Sequence, residues 1–133
     1  MKICVTSTGE TFDSDMDPRF GRCKYFLIIE TDSMNINSIP NDSMMASGGA
    51  GIQAAQMVAK TGATTVITGN IGPNAFQTLK AAGINVITGV NGSIKDVVDM
   101  FSNGELKDID APSVGSHFGM GGTGRGSGRG RNL

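Results

Sequence analysis

Metal and disulfide chemistry have little to work with in this sequence. Two cysteines, Cys4 and Cys23, and one histidine, His117, are the whole complement. No CxxC or HExxH spacing occurs, and a four-ligand zinc site would need carboxylates or a second chain. A disulfide framework of the secreted kind is excluded by the same count. Long hydrophobic runs are missing too, since no stretch approaches the ~18 apolar residues of a membrane span. The N-terminus passes straight into a strand-like pattern at Lys2–Ser7, without the apolar run of a leader. The chain therefore reads as soluble and cytoplasmic. Aromatics make up 5% and charged residues 17%, and the net charge of −1 argues against steering of the whole domain onto nucleic acid or membrane.

Glycine and methionine, with 20 and 8 residues, are what stands out. The 133 residues suffice for one domain that buries roughly 65–70% of its unfolded surface. Charge is unevenly spread. Residues 1–110 hold all the acids and carry −4, whereas Arg125, Arg129 and Arg131 give residues 111–133 a charge of +3. Eight of those last 23 residues are glycine. Such a segment buries too little apolar surface to offset the cost of ordering it, so a domain over 1–110 and a disordered Gly/Arg-rich tail over 111–133 are expected.

Within the domain the hydrophobic period changes once. Lys2–Ser7 and Lys24–Glu30 read as strands, and Met34–Ile39 alternates as a half-buried third strand should, which makes an antiparallel meander. Helices are predicted at Gly51–Lys60 (Ile52, Ala55 and Ala59 on one face), Pro73–Ala82 (Ala75, Leu79, Ala82) and Ser93–Ser102 (Ile94, Val97, Val98, Phe101). Short strands at Ala63–Thr68 and Ile84–Thr88 lie between them. The segment Val66–Gly72 (VITGNIG) recurs as Val86–Gly92 (VITGVNG), so strand, glycine loop and helix are written twice. That is the pattern of right-handed βαβ crossovers. The expected fold is α/β, a mixed five-stranded sheet with an antiparallel meander followed by βαβα. All three helix N-termini fall on one sheet edge.

Three glycine-rich segments converge on that edge. They contain Gly49 and Gly51, then Gly69, Asn70 and Gly72, then Gly89 and Gly92. The loop Asp13–Arg22 leaves the first strand at the same edge and brings Arg19, Arg22 and Cys23. Glycines admit a ligand close to the backbone, and helix N-termini offer unpaired N–H groups, so an anion site is favoured over plain tight turns. Gly49–Ala54 (GAGIQA) matches a dinucleotide fingerprint, but a strand does not lead directly into it and no acid follows about 20 residues on. Asp13, Asp15 and Asp17 copy the start of a calcium loop, but Pro18 and Lys24 occupy the positions of its glycine and its glutamate; a solvated acidic loop is the better reading. No nucleophile has a histidine nearby, and catalysis is not indicated.

Pro18–Phe26 (PRFGRCKYF), Gly49–Ala55 (GAGIQAA) and Gly69–Ala75 (GNIGPNA), followed by Leu79–Gly83 and Asn103–Leu106, resemble the dinitrogenase iron–molybdenum cofactor biosynthesis family. That family takes in NifX-type carriers, the C-terminal domain of NifB and the molybdenum–copper Orange protein. The resemblance runs over about residues 1–110. It implies a ribonuclease-H-like three-layer fold that binds an anionic metal–sulfur cluster, of iron–molybdenum or molybdenum–copper type, without catalysis. Cluster donor and acceptor proteins are the implied partners. Arg19, Phe20, Gly21, Arg22 and Cys23 match one family loop, and Gly69, Asn70, Gly72 and Asn74 the other. Arg19 stands where nitrogenase-linked members often carry histidine. Cys23 is the candidate sulfur ligand, and His117 with Met120 a candidate clamp from the tail. Two alternatives stay open: RNA binding through the Gly/Arg-rich tail, and a nucleotide-binding domain.

Overall fold

Alternating side chains along the central strands build two hydrophobic layers on one sheet. In β1 (Lys2–Ser7), Ile3 and Val5 point one way and Cys4 the other; in β2 (Tyr25–Glu30), Leu27 and Ile29 oppose Phe26 and Ile28. β3 (Asn35–Pro40), β4 (Thr65–Ile67) and β5 (Asn85–Ile87) complete a sheet of order β3-β2-β1-β4-β5. The β1–β2 and β2–β3 pairs are antiparallel, and the β1–β4 and β4–β5 pairs are parallel. This computed structural model describes residues 1–43 and 49–113.

Helices α1 (Ala50–Ala59) and α2 (Pro73–Ala81) pack together on the Cys4 face, and α3 (Ile94–Ser102) covers the Ile3 face. The result is the three-layer α/β arrangement that the resemblance implies, with the strands in the expected directions. β1 is buried along almost its whole length because it is central and covered on both sides, whereas β3 is half-buried at the edge.

Two helix faces differ from the periodicity reading. On α1 the buried residues are Ala50, Ala54, Ala55 and Val58, while Ile52 and Ala59 are exposed. On α2, Phe76 is buried with Ala75 and Leu79, and Ala82 lies outside the helix and is exposed. Alanine carries too little apolar weight to mark a face, so one large residue, Ile52, misdirects the α1 assignment. α3, with four large apolar residues at the right spacing, is read correctly, with Ile94, Val97 and Val98 buried.

Past α3 the chain remains attached beyond residue 110. The Ile109 N–H donates to the Val86 carbonyl (2.8 Å), and Ser113 is hydrogen-bonded to Ile71. These hydrogen bonds lie on either side of residue 110. The rest of the predicted tail, with His117 and Met120, lies outside the described residues.

Candidate functional site

The loop between β1 and β2 crosses the edge of the sheet where β1 ends. Its fixed points explain what lies on either side. Thr6 holds it near the middle: the Asp17 N–H donates to the Thr6 carbonyl (2.9 Å), and the Thr6 hydroxyl donates to the Asp17 carbonyl (2.6 Å). Before that point, Phe12–Met16 lies against the start of α3. The N–H groups of Ile94 and Lys95 donate to the carbonyls of Ser14 and Phe12, and that of Met16 to the Gly92 carbonyl. After it, Pro18–Phe20 pairs with Asn70. The Asn70 N–H donates to Pro18 (2.7 Å) and the Phe20 N–H to Asn70 (3.3 Å).

The second half of the loop forms one wall of a cavity of about 350 Å³. Arg19, Phe20 and Gly21 face the N-terminal turn of α1 (Gly49–Ile52) and the segment Asn70–Ala75, which leads into α2. Small residues make the walls meet. A Cβ on Gly21 would lie 3.1 Å from the Gly51 backbone, and one on Gly51 would lie 3.3 Å from the Ala75 Cβ. Both helices have glycine N-caps, Gly49 and Gly72, with no side-chain cap and no acid in the first turn. Their leading amides lack intrahelical partners by helix geometry, and no described residue accepts from Ala50, Gly51, Ile52, Asn74 or Ala75. Two helix N-termini therefore present partial positive charge to one space.

Arg19 is the only charged side chain among the lining residues described. Its side chain is 64% exposed, yet its position is fixed: Nε lies 3.2 Å from Asp17 Oδ1 and Nη2 3.3 Å from Asp17 Oδ2. Oδ1 also accepts the Arg19 N–H (3.0 Å), which closes an Asx turn across Pro18. This contact raises the Arg19 pKa further, so the guanidinium stays charged. Asp17 is buried, which corrects the picture of a wholly solvated acidic loop; Asp13 and Asp15 are exposed as expected.

Of the predicted site residues, Arg19, Phe20, Gly21, Gly49, Gly51, Asn70, Gly72 and Asn74 line this cavity. The others do not. Gly69 is buried, and a Cβ there would lie 2.7 Å from the Pro18 Cα, so it serves the close crossing of two loops. Gly89 and Gly92 belong to the α3 side, where Phe12–Met16 occupies the helix start. Arg22 is exposed outside the lining. Cys23 lies in the core layer under α1 and α2, with its thiol donating to the Phe20 carbonyl (Sγ–O 3.4 Å). Burial pushes its pKa up to about 12, which disfavours the thiolate that ligation requires.

Asn41 and Ser113 were not singled out by the sequence reading, and Asp17 entered it only as part of a solvated acidic loop. The buried Asn41 amide donates to the carbonyls of Gly21 (3.2 Å) and Cys23 (2.9 Å) and so holds the arginine loop in place. Asp17-Pro18 has the local signature of an Asx turn, but Asn41 and Ser113 act across the chain and leave no local signal. The fingerprint reading of Gly49–Ala54 lacks its context, because residues 41–49 separate β3 from α1.

Among the described residues, no group of three or more His, Cys, Asp or Glu side chains could hold a bare metal ion.

The family described as "Dinitrogenase iron-molybdenum cofactor" matches residues 1–104. An uncharacterized protein of Methanocaldococcus jannaschii is 32% identical over 114 residues, covering 83% of this chain and 97% of its own length. The apo form of the orange protein from Desulfovibrio gigas superposes with a TM-score of 0.82 at 39% identity, over 84% of this chain and 95% of that one. The NMR structure of a Thermotoga protein of the DUF35 family gives a TM-score of 0.71 at 34% identity, over 80% and 91% of the two chains. No helix among the described residues is long and apolar enough to cross a membrane. By sequence over most of its length and by fold, the chain belongs to the dinitrogenase iron–molybdenum cofactor family.

Proposed function

We propose that the chain is a non-catalytic carrier of an anionic metal–sulfur cluster or cluster precursor, held in the cavity between Arg19–Gly21 and the N-termini of α1 and α2. One observation carries this reading: two uncapped helix starts and one fixed guanidinium share a cavity whose described lining has no carboxylate, histidine, thiol or hydroxyl. Such a lining has no general acid or base and no nucleophile, so it binds without turning its cargo over. Phe20, Ile71 and Ala75 add apolar wall, which favours a large, weakly hydrated sulfido anion over a small oxyanion. The cargo is of the iron–molybdenum or molybdenum–copper kind that the family and the orange protein suggest. It passes between donor and acceptor proteins in the cytoplasm.

Anaerobic titration of the purified protein with tetrathiomolybdate, with and without copper, tests this, as does a parallel titration with iron and sulfide. A chromophore retained after desalting is expected. Arg19→Ala weakens binding about tenfold, the size of one charged hydrogen bond, and Arg22→Ala, outside the lining, has a smaller effect. Circular dichroism checks that each variant is folded. No retained chromophore under any condition, or an Arg19→Ala variant with unchanged affinity, would overturn the proposal.

A further inference from the structure

Asp17 is a buried carboxylate beside the cavity that the carrier reading leaves without a task. The backbone sets its place. Its N–H and carbonyl are both bonded to Thr6, whose hydroxyl is joined to that of Thr68 (2.9 Å), and both threonines are fully buried. Asp17 therefore stays where it is, and Arg19 comes to it. Oδ1 accepts the Arg19 N–H (3.0 Å) and closes the turn across Pro18. That turn needs one acceptor, which asparagine or serine would supply without a charge to bury. The carboxylate does more, because its two oxygens also take Nε and Nη2 of Arg19 (3.2 and 3.3 Å) in a side-on pair. Asparagine could not fill this edge, since its amide would turn a second donor toward Nη2. Among the described residues no other group hydrogen-bonds to the Arg19 side chain.

We propose that Asp17 is a specificity-determining residue: by holding the Nε–Nη2 edge of Arg19 it withholds the side-on, bidentate grip from the cargo, and so turns the site away from oxyanions and toward sulfido anions. This rests on the carrier reading above and adds a second cause of selectivity to the apolar wall. Arg19 is left with the donors at its Nη1 end, in one fixed orientation. An oxyanion gains from every directed N–H it receives, and most from a bidentate pair. Sulfur is the weaker acceptor, so a sulfido anion forfeits less when that pair is taken.

Molybdate and tetrathiomolybdate separate this role from a plain charge effect. Both are tetrahedral dianions of the same metal, so loss of the Asp17 charge favours both alike and cancels in the ratio of their affinities. A change in hydrogen-bond donors does not cancel.

The test measures both affinities in the full chain, in Asp17→Ser and in Asp17→Asn, by the amide shifts of Asn70–Ala75 in NMR spectra. The unaltered protein is expected to prefer tetrathiomolybdate. Asp17→Ser keeps an acceptor for the turn but frees the guanidinium, so molybdate gains and the preference falls about tenfold, the size of one charge-assisted hydrogen bond. Asp17→Asn still engages Nε and gives a smaller fall. In an Arg19→Ala background, Asp17→Ser is expected to leave the ratio unchanged, because Asp17 acts through Arg19. The Arg19 Nε–H resonance gives a reading that needs no variant: it is expected to hold its position when either anion is added. An unchanged ratio in the folded Asp17 variants, a change that persists without Arg19, or an Nε–H displaced by molybdate would each overturn the role of Asp17 and leave the carrier reading standing. Cavity amides that ignore tetrathiomolybdate, or a preference of the unaltered protein for molybdate, would overturn both.

Discussion

Val66–Gly72 and Val86–Gly92 are near-copies that lead into α2 and α3, and Asn70, Ile71 and Gly72 of the first line the cavity described above. The second is closed from within. Ser14 and Phe12 take the first amides of α3, and Ser93 caps the helix by accepting the Asp96 N–H, with the Asp96 carboxylate in the first turn. α2 starts on Gly72 with neither cap nor acid. One loop produces both outcomes: Phe12–Met16 fills the α3 start, and Arg19–Gly21 walls the space at the α1 and α2 starts without accepting from their leading amides. A glycine loop and a helix N-terminus are thus only half of an anion site. The other half is a chain that leaves the amides unused.

The largest expected effect concerns the thiol beneath the open half. If that half binds through amides and Arg19, Cys23 is a packing residue. Its pKa near 12 against an ordinary 9.0 then makes alkylation at pH 8 on the order of a thousandfold slower in the folded protein than after denaturation. The associated stability is complete below pH 9, where the thiol is neutral in both states, and is lost as pH rises toward 12. Rapid alkylation of the folded protein would reveal an accessible thiolate and show that Cys23 is not a packing residue.

Next in size is a pair of glycine substitutions at equivalent places in the two copies. Gly69→Ala puts a Cβ 2.7 Å from the Pro18 Cα and 2.9 Å from its carbonyl oxygen, which the backbone cannot yield cheaply. A loss of about 3 kcal/mol in urea unfolding is expected. Gly89→Ala meets open space and suffers only from its positive φ of 78°, about 1 kcal/mol. Only the Gly69 change displaces Pro18–Phe20 and weakens anion binding. Equal costs would mean that the two copies are held alike.

The sequence makes the scaffold legible for the same reason that it blurs the site. Strand alternation in Ile3–Val5 and Phe26–Ile29 and the apolar spacing of α3 are local patterns, and the repeat betrays the crossovers. The convergence of Arg19–Gly21 with Gly49–Ile52 and Asn70–Ala75 follows from strand direction, which is also readable. What is not readable is where a loop lies once it crosses the edge. Gly89 and Gly92 look like Gly69 and Gly72 in sequence, and only the hydrogen bonds from Met16, Ile94 and Lys95 tell the two apart. Cys23 sits in a charged, polar-looking string, but the turn at Phe20 sends it inward. Asn41 and Ser113 act through partners 20 and 42 residues away.

On the closed side, Ser93→Ala removes the cap of α3. It is expected to cost about 1 kcal/mol in urea unfolding with anion affinity unchanged. A drop in affinity would show that the α3 start contributes to binding after all.

The smallest change in stability carries the sharpest test of the open side. Gly72 has φ −85° and ψ 174°, an extended conformation that any residue adopts, and a Cβ there meets nothing within 4 Å. No backbone strain calls for glycine. A capping residue would satisfy an α2 amide and complement the helix dipole, so Gly72→Asp should stabilise the fold by about 0.5 kcal/mol. The same carboxylate would occupy the amides offered to the cargo and add a negative charge to the cavity wall. Tetrathiomolybdate affinity should therefore fall while stability rises. Gly72→Ser, which caps without charge, should give a smaller loss. If Gly72→Asp stabilises the protein and leaves binding intact, the α2 N-terminus is not the anion's partner, and Arg19 and the α1 start must hold it without α2.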